Sequence, residues 1–233
     1  MKALIFAAGL GTRLKPITDT IPKAMVDVGN QPMLKLVLDR CQKAGITEVV
    51  VNVHYLPEVI KSFLLTYIST GMKVFISDES DEILETGGGL IKAKDYFKDG
   101  QPFLVANADV LTNIDIKSFF QVHHKLGGIA TLAVRDRNTS RKLLFGQDGR
   151  LKGRANGEEG SEFAFSGYHI ISPEIFKHIT RTGKFSITDW YIDICKEQSI
   201  FAYLHQDDIW IDIGIVEKLN EANEVYEEKK DLF

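Results

Sequence analysis

The residues best suited to chemistry lie near the start of the chain, in Ala7-Ala8-Gly9-Leu10-Gly11-Thr12-Arg13-Leu14-Lys15-Pro16. Gly9 and Gly11 allow positive φ and close backbone approach, so successive N–H groups can point at phosphate oxygens. Thr12 adds a hydroxyl, Arg13 a planar and permanently charged fork, and Pro22-Lys23 a second cation for the same anion. Three readings compete for this segment. A dinucleotide-binding fingerprint needs G-x-G-x-x-G, but position 14 is leucine, and Val53-His54 stands where an acidic ribose ligand would end the second strand. A P-loop needs G-x4-G-K-[ST], which the sequence lacks. A structural turn would explain a lone Gly-x-Gly, but not one followed closely by Thr, Arg and Lys. Anion binding is the expected use.

Two carboxylates could complete such a site. Asp109 follows the apolar run Phe103 to Ala106, and Asp212 lies between Trp210 and Gly214 after another short apolar run. Each falls at an expected strand end, where ligands sit in open α/β sheets, and together they could bind one Mg2+ with phosphate oxygens and water. Taken alone, Asp109 also reads as a turn-forming aspartate. Asp115 reads as a helix N-cap. His123 and His124 have no carboxylate at ligand spacing and are expected at the surface or its boundary, while Phe185, Trp190 and Tyr191 are expected in the core.

The elements that must position these groups alternate in periodicity. Ala3 to Ala7 is a continuous apolar run, as in a strand covered on both faces. Met33, Leu34, Val37, Leu38 and Cys41 have helical spacing with a stop at Gly45, Val49 to Val53 is β-branched, and Pro57 opens another helix. Further strands are expected at Val74 to Ile76, Phe103 to Ala106, Ala130 to Val134, Ala164 to Ile171 and Ile200 to Leu204. A short helix is expected after Gly87-Gly88-Gly89 as far as Phe97, and others over Ile116 to Leu126, from Ser186 through Cys195, and over Val216 to Lys230. Asp148-Gly149 reads as a hairpin turn inside the polar, Gly-rich stretch from Asp136 to Gly160. This β-α-β rhythm predicts an α/β fold, a doubly wound, mostly parallel sheet with helices on both faces.

Composition narrows the partners. The 233 residues are 44% hydrophobic and 26% charged, with a net charge of −4 and no basic stripe, so no nucleic-acid footprint is expected. Cys41 and Cys195 lack CxxC or Cys/His spacing, which suits a reducing cytoplasm without disulfides or structural zinc. The opening apolar run is short and broken by Gly9, unlike a signal peptide, and no run approaches membrane-spanning length. No membrane partner is expected, and the oligomeric state is not legible.

Gly9-x-Gly11-Thr12-Arg13-Leu14-x-Pro16 with Pro22-Lys23 resembles the signature of the sugar-1-phosphate nucleotidyltransferases. The resemblance continues through Leu84-Glu-Thr-Gly-Gly-Gly-Leu90, Asn107-Ala-Asp109, Phe165-Ser-Gly167 and Trp210-Ile-Asp-Ile-Gly214. The chain is most similar to the N-acetylmuramate-1-phosphate uridylyltransferases, with mannose-1-phosphate guanylyltransferases close behind. The resemblance implies a single Rossmann-like domain over 1–233, with a nucleotide-binding part over about 1–112 and a sugar-phosphate part over about 113–233. It implies transfer of a nucleotidyl group from a nucleoside triphosphate to a sugar 1-phosphate, dependent on Mg2+, with UTP and N-acetylmuramate 1-phosphate or GTP and mannose 1-phosphate as the first pairs to consider. Arg13 and Lys23 would be catalytic, Arg13 on the pyrophosphate part and Lys23 on the α-phosphate. Ala7, Ala8, Gly9, Gly11, Thr12, Thr86, Gly87 and Gly88 would join them in holding the nucleotide. Asp109 and Asp212 would be the metal ligands, and Asn107, Gly167, Glu162 and Arg141 would face the sugar phosphate.

One departure from the family concerns the sugar. Many members carry Glu-Lys-Pro before the strand that reaches the equivalent of Gly167, and this chain has no such lysine there; Arg141 or Lys142 would have to replace it. Glu162 sits beside Glu158-Glu159-Gly160 and reads equally as a solvated side chain. Two other functions stay open on the sequence: a cytidylyltransferase for phosphocholine or a similar phospho-alcohol, and a non-catalytic nucleotide-sugar sensor. The first would want aromatic residues to cage a cation, and the 136–165 stretch holds only Phe145, Phe163 and Phe165. The second would have no evident need for both metal carboxylates.

Overall fold

The apolar runs form strands and the helically spaced segments form helices, in the expected order. The computed structural model describes residues 1–67, 69 and 71–233. Strand β1 (Lys2–Phe6) leads through a long loop to β2 (Asp27–Val28), β3 (Gln31–Pro32) and helix α1 (Met33–Lys43). Then come β4 (Glu48–Val53), α2 (Pro57–Thr66), β5 (Lys73–Asp78), α3 (Glu85–Lys92), β6 (Phe103–Asn107) and β7 (Val110–Thr112). Next are α4 (Ile116–Leu126), β8 (Ala130–Arg135), β9 (Lys142–Phe145), β10 (Leu151–Arg154) and β11 (Ser161–Ile171). The chain closes with α5 (Ile187–Ile194), β12 (Ile200–Leu204), β13 (Trp210–Asp212) and α6 (Val216–Glu228). The fold class is the expected mixed, Rossmann-like α/β architecture. Its residues divide into two interleaved compact units, 1–83 with 107–114 and 208–233, and 84–106 with 115–207.

In the first unit, β1 pairs in parallel with β4, and β4 with β5. Leu4, Ile5, Val49 and Val51 are fully buried, as are Leu34 and Leu38 of α1. Burial of each such side chain contributes roughly 1.5–3 kcal/mol. Two short antiparallel ladders, β2 with β3 and β7 with β13, belong to the same unit. Helix α6 packs so closely on the turn between β2 and β3 that a Cβ built on Gly29 would lie 2.0 Å from the Tyr226 ring. Asn223 accepts a hydrogen bond from the Gly29 N–H at 2.9 Å, and Gln31 donates to the Tyr226 hydroxyl at 2.8 Å.

The second unit is organised around β11, which is antiparallel to β6, β8 and β9, while β8 and β12 run parallel. Here the alternating rhythm gave only part of the picture, because periodicity does not report strand direction. The stretch from Asp136 to Gly160 contains β9 and β10, joined through the expected Asp148-Gly149 turn, where Gly149 has φ 75°. Asp115 caps α4 by accepting from the Lys117 and Ser118 N–H groups. Ser186 caps α5, and Phe185, Trp190 and Tyr191 are buried as expected.

Two expectations need correction. The glycines at 87–89 lie inside α3 rather than before a helix. A Cβ on Gly87 would fall 2.1 Å from the Phe185 ring, and one on Gly88 2.3 Å from the Gly183 carbonyl, so close packing explains Gly87 and Gly88. His123 is buried, not at the surface: its ring nitrogens meet the Thr131 hydroxyl at 2.9 Å and the Ser172 hydroxyl at 3.0 Å. Those two partners satisfy a neutral imidazole inside the unit.

Candidate active site

The loop after β1 is anchored at both ends. At its start, the Ala7 N–H donates to Asn52 Oδ1 at 2.7 Å, and Asn52 Nδ2 in turn donates to Glu79 Oε1 at 2.9 Å. At its end, Gly11 adopts φ 64° and opens a 3-10 turn over Thr12–Leu14, with Leu14 fully buried. The Thr18 hydroxyl donates to the Gly11 carbonyl at 2.8 Å, and a Cβ on Gly11 would lie 2.9 Å from Thr18 Cγ2 and 3.1 Å from Lys23 Cβ. Only glycine satisfies both the positive φ and this contact. Between the anchors, Ala8, Gly9 and Leu10 belong to no strand or helix, and space is open above Gly9. The Ala7 amide is therefore committed inward, while the following amides belong to no ladder.

Lys23 is the centre of the site. Pro22, at φ −68° and ψ 151°, delivers it in an extended approach to a further 3-10 turn, Lys23–Met25. It is only 8% exposed, in contrast to the usual fate of a lysine. Its Nζ donates to the carboxylate of Asp109 and, at 3.3 Å, to Asp212 Oδ1. The two aspartates, remote in sequence, are brought together by the β7/β13 ladder, in which Asp212 is the partner of Val110 and the Ile213 N–H donates to the Asp109 carbonyl at 3.0 Å. Asp109 is further fixed through Ala108, whose N–H donates to the Phe6 carbonyl at 3.0 Å.

Arg13 belongs to the same group. A Cβ built on Gly214 would lie 2.7 Å from Arg13 Nη2 and 2.9 Å from Asp212 Oδ1, so the guanidinium lies over a glycine backbone beside the second carboxylate. In the sequence Gly214 stands at the end of the Trp210–Gly214 motif with no sign of its task. Its steric task becomes visible only when Arg13 is placed. The side chain of Asp212 is 42% exposed and that of Asp109 26%, so both carboxylates can be reached from solvent. Arg13, Lys23, Asp109 and Asp212 thus converge within the first unit, and two cations meet two anions around one accessible point.

This donor set suits a divalent cation. Both carboxylates already meet around a cationic group, the Lys23 ammonium. Among the described residues no three His, Cys, Asp or Glu side chains cluster as a closed metal cage, so an ion here would draw further ligands from substrate phosphates and water.

Asn107 ends β6 and is half-buried. In the second unit the Gly87 N–H donates to the Phe185 carbonyl at 2.9 Å, and the Thr86 hydroxyl accepts from the Ile187 N–H at 2.9 Å. Gly167 has φ 82° inside a β-bulge of β11, where the register to β8 shifts between Phe165 and His169. Glu162 is half-buried on β11, Arg141 is exposed, and Lys142 pairs with Asp136 at 2.9 Å.

The family described as nucleotidyl transferase matches residues 2–229 of this chain. The chain belongs to that family. This nucleotidyl transferase is 33% identical over 227 residues to N-acetylmuramate alpha-1-phosphate uridylyltransferase of Neisseria meningitidis serogroup B, an alignment covering 95% of this chain and 96% of that protein. It is 30% identical over 224 residues to mannose-1-phosphate guanylyltransferase 1 of Arabidopsis thaliana, where it covers 92% of itself but 61% of the longer relative. Among solved structures, HddC from Yersinia pseudotuberculosis superposes with a TM-score of 0.79 at 26% identity, over 97% of this chain and 99% of that one. A UDP-glucose pyrophosphorylase complexed with UDP-glucose, at 21% identity and a TM-score of 0.82, shares the fold. Among the described residues no helix is long and apolar enough to cross a membrane.

Proposed function

We propose that this nucleotidyl transferase moves a nucleoside monophosphate from a nucleoside triphosphate to a sugar 1-phosphate. A phosphate oxygen of the sugar 1-phosphate forms a bond to the α-phosphorus as the bond from that phosphorus to the bridging oxygen of the β-phosphate breaks. Pyrophosphate leaves with the electron pair. The nucleophile is already an anion, so the reaction needs no general base, and the work falls to alignment and charge stabilisation. The observation that carries the reading is the meeting of Lys23 with Asp109 and Asp212 beside Arg13.

In this reading the Ala8, Gly9 and Gly11 backbone and the Thr12 hydroxyl cradle the triphosphate. Arg13 holds the departing pyrophosphate with its planar fork. Lys23 stabilises charge on the α-phosphate, its ammonium held in place by Asp109 and Asp212. Asp109 and Asp212 would hold Mg2+, which when bound would neutralise phosphate charge. Thr86, Gly87 and Gly88 are assigned to the nucleobase, and Asn107, Gly167, Glu162 and Arg141 to the sugar phosphate. The nucleotide-binding part then takes in residues 208–233 as well as the stretch to about 112, because Asp212 belongs with Lys23. A reducing, cytoplasmic setting suits the two free cysteines, Cys41 and Cys195.

A pyrophosphate-release assay tests this, crossing each nucleoside triphosphate with a panel of sugar 1-phosphates and phosphocholine in Mg2+. UTP with N-acetylmuramate 1-phosphate and GTP with mannose 1-phosphate are the first pairs, following the named relatives. Turnover with any sugar 1-phosphate supports the reading. Activity with CTP and phosphocholine alone, or nucleotide-sugar binding without turnover of any pair, overturns it.

A further inference from the structure

We infer that Asn52 is a positioning residue for the triphosphate, acting through the Ala7 amide to fix where the loop after β1 leaves the sheet; this rests on the function proposed above. Asn52 is the polar break in Val49-Val50-Val51-Asn52-Val53, and it is 2% exposed. A buried amide costs stability unless its hydrogen bonds are made, and here both ends are used. Nδ2 donates to Glu79 Oε1 at 2.9 Å, which turns Oδ1 toward the Ala7 N–H, 2.7 Å away.

Glu79 is itself held firmly. Its N–H donates to the Val53 carbonyl at 2.7 Å, and its carbonyl meets His54 Nδ1 at 2.6 Å. It is fully buried just beyond β5. The relay therefore runs from the ends of β4 and β5 to the first residue after β1. In the parallel register Asn52 lies beside Phe6, so its side chain reaches the next amide along, where the ladder would otherwise continue. Taking that N–H ends strand pairing at Ala7, and the amides from Ala8 onward are left for a ligand. Asn52 never needs to touch the substrate. It fixes the point from which the phosphate-facing backbone starts.

The role predicts a selective defect. Asn52→Ala should raise KM for the nucleoside triphosphate by about tenfold, the order expected for one mispositioned hydrogen-bonding segment. KM for the sugar 1-phosphate should stay within about twofold. Glu79→Gln keeps an acceptor oxygen for Asn52 Nδ2 and should restore near-wild-type KM, whereas Glu79→Ala should resemble Asn52→Ala. Equal rises in both KM values, or no change in either, would overturn the inference.

Hydrogen exchange on the unmodified protein supplies a measurement that does not depend on the variants folding. The Ala7 amide should be protected with and without nucleotide, and those of Ala8 to Gly11 only once Mg2+ with UTP or GTP is added. An Ala7 amide that exchanges as fast as its neighbours in the free protein overturns the inference. Wild-type protein inactive with every sugar 1-phosphate would defeat the proposed reaction instead, and the protection pattern of free Ala7 separates the two failures.

Discussion

At the residue scale, the proposed function rests on Lys23, a buried ammonium between two carboxylates that solvent can reach. Asp109→Ala should abolish Mg2+-dependent turnover while far-ultraviolet circular dichroism stays native; full activity in that variant would remove Asp109 from the mechanism. Arg13→Ala leaves the carboxylates in place and should lower kcat/KM by about 100-fold, the loss typical of one deleted donor at a charge-stabilising site. These four side chains were legible in the sequence because each stands in a short motif whose chemistry needs its type. Gly214 and Asn52 were not. Gly214 matters for the side chain it lacks, and Asn52 for a bond across strands, and neither property is encoded by local spacing.

At the element scale, the site depends on pieces of backbone that approach more closely than side chains allow. Gly29, at φ 59°, carries α6 against the β2/β3 turn just beyond Lys23. Gly29→Ala should therefore destabilise the protein by about 2–3 kcal/mol, combining overpacking with left-handed strain. Gly71→Ala meets no atom within 4 Å at φ 79° and should cost only about 1 kcal/mol. Equal losses in urea unfolding would refute the packing account of Gly29. The long apolar elements β1, α1, β4 and α4 were readable from periodicity to within a residue or two. β9 and β10 were not, since four-residue strands in a polar stretch carry too few alternations to register. The glycines of α3 misled for a related reason: glycine reads locally as a helix breaker, and only the facing Phe185 and Gly183 show why it is tolerated.

At the scale of the whole molecule, buried histidines tie stability to pH. Burial holds His123 down at about 4, His169 at about 3 and His205 at about 4, all below the ordinary 6.5. An unfolded chain takes up these protons first, so stability is complete above about pH 6.5 and declines as pH falls from there toward the folded values. Each group can remove on the order of 2 kcal/mol by pH 4.5. The melting temperature should drop between pH 7 and 4.5, and His123→Gln should flatten that drop; a constant melting temperature across the range would contradict it. The order of the longer elements was legible, but their division was not, because the path leaves the first unit at residue 84, re-enters for 107–114 and returns at 208. That threading has a consequence for the nascent chain. A ribosome-bound chain that has reached residue 207 already carries the lysine and one of its two counter-charges, yet lacks the strand that brings the other. The anionic pair around Lys23 is thus complete only once the 208–214 segment has been made.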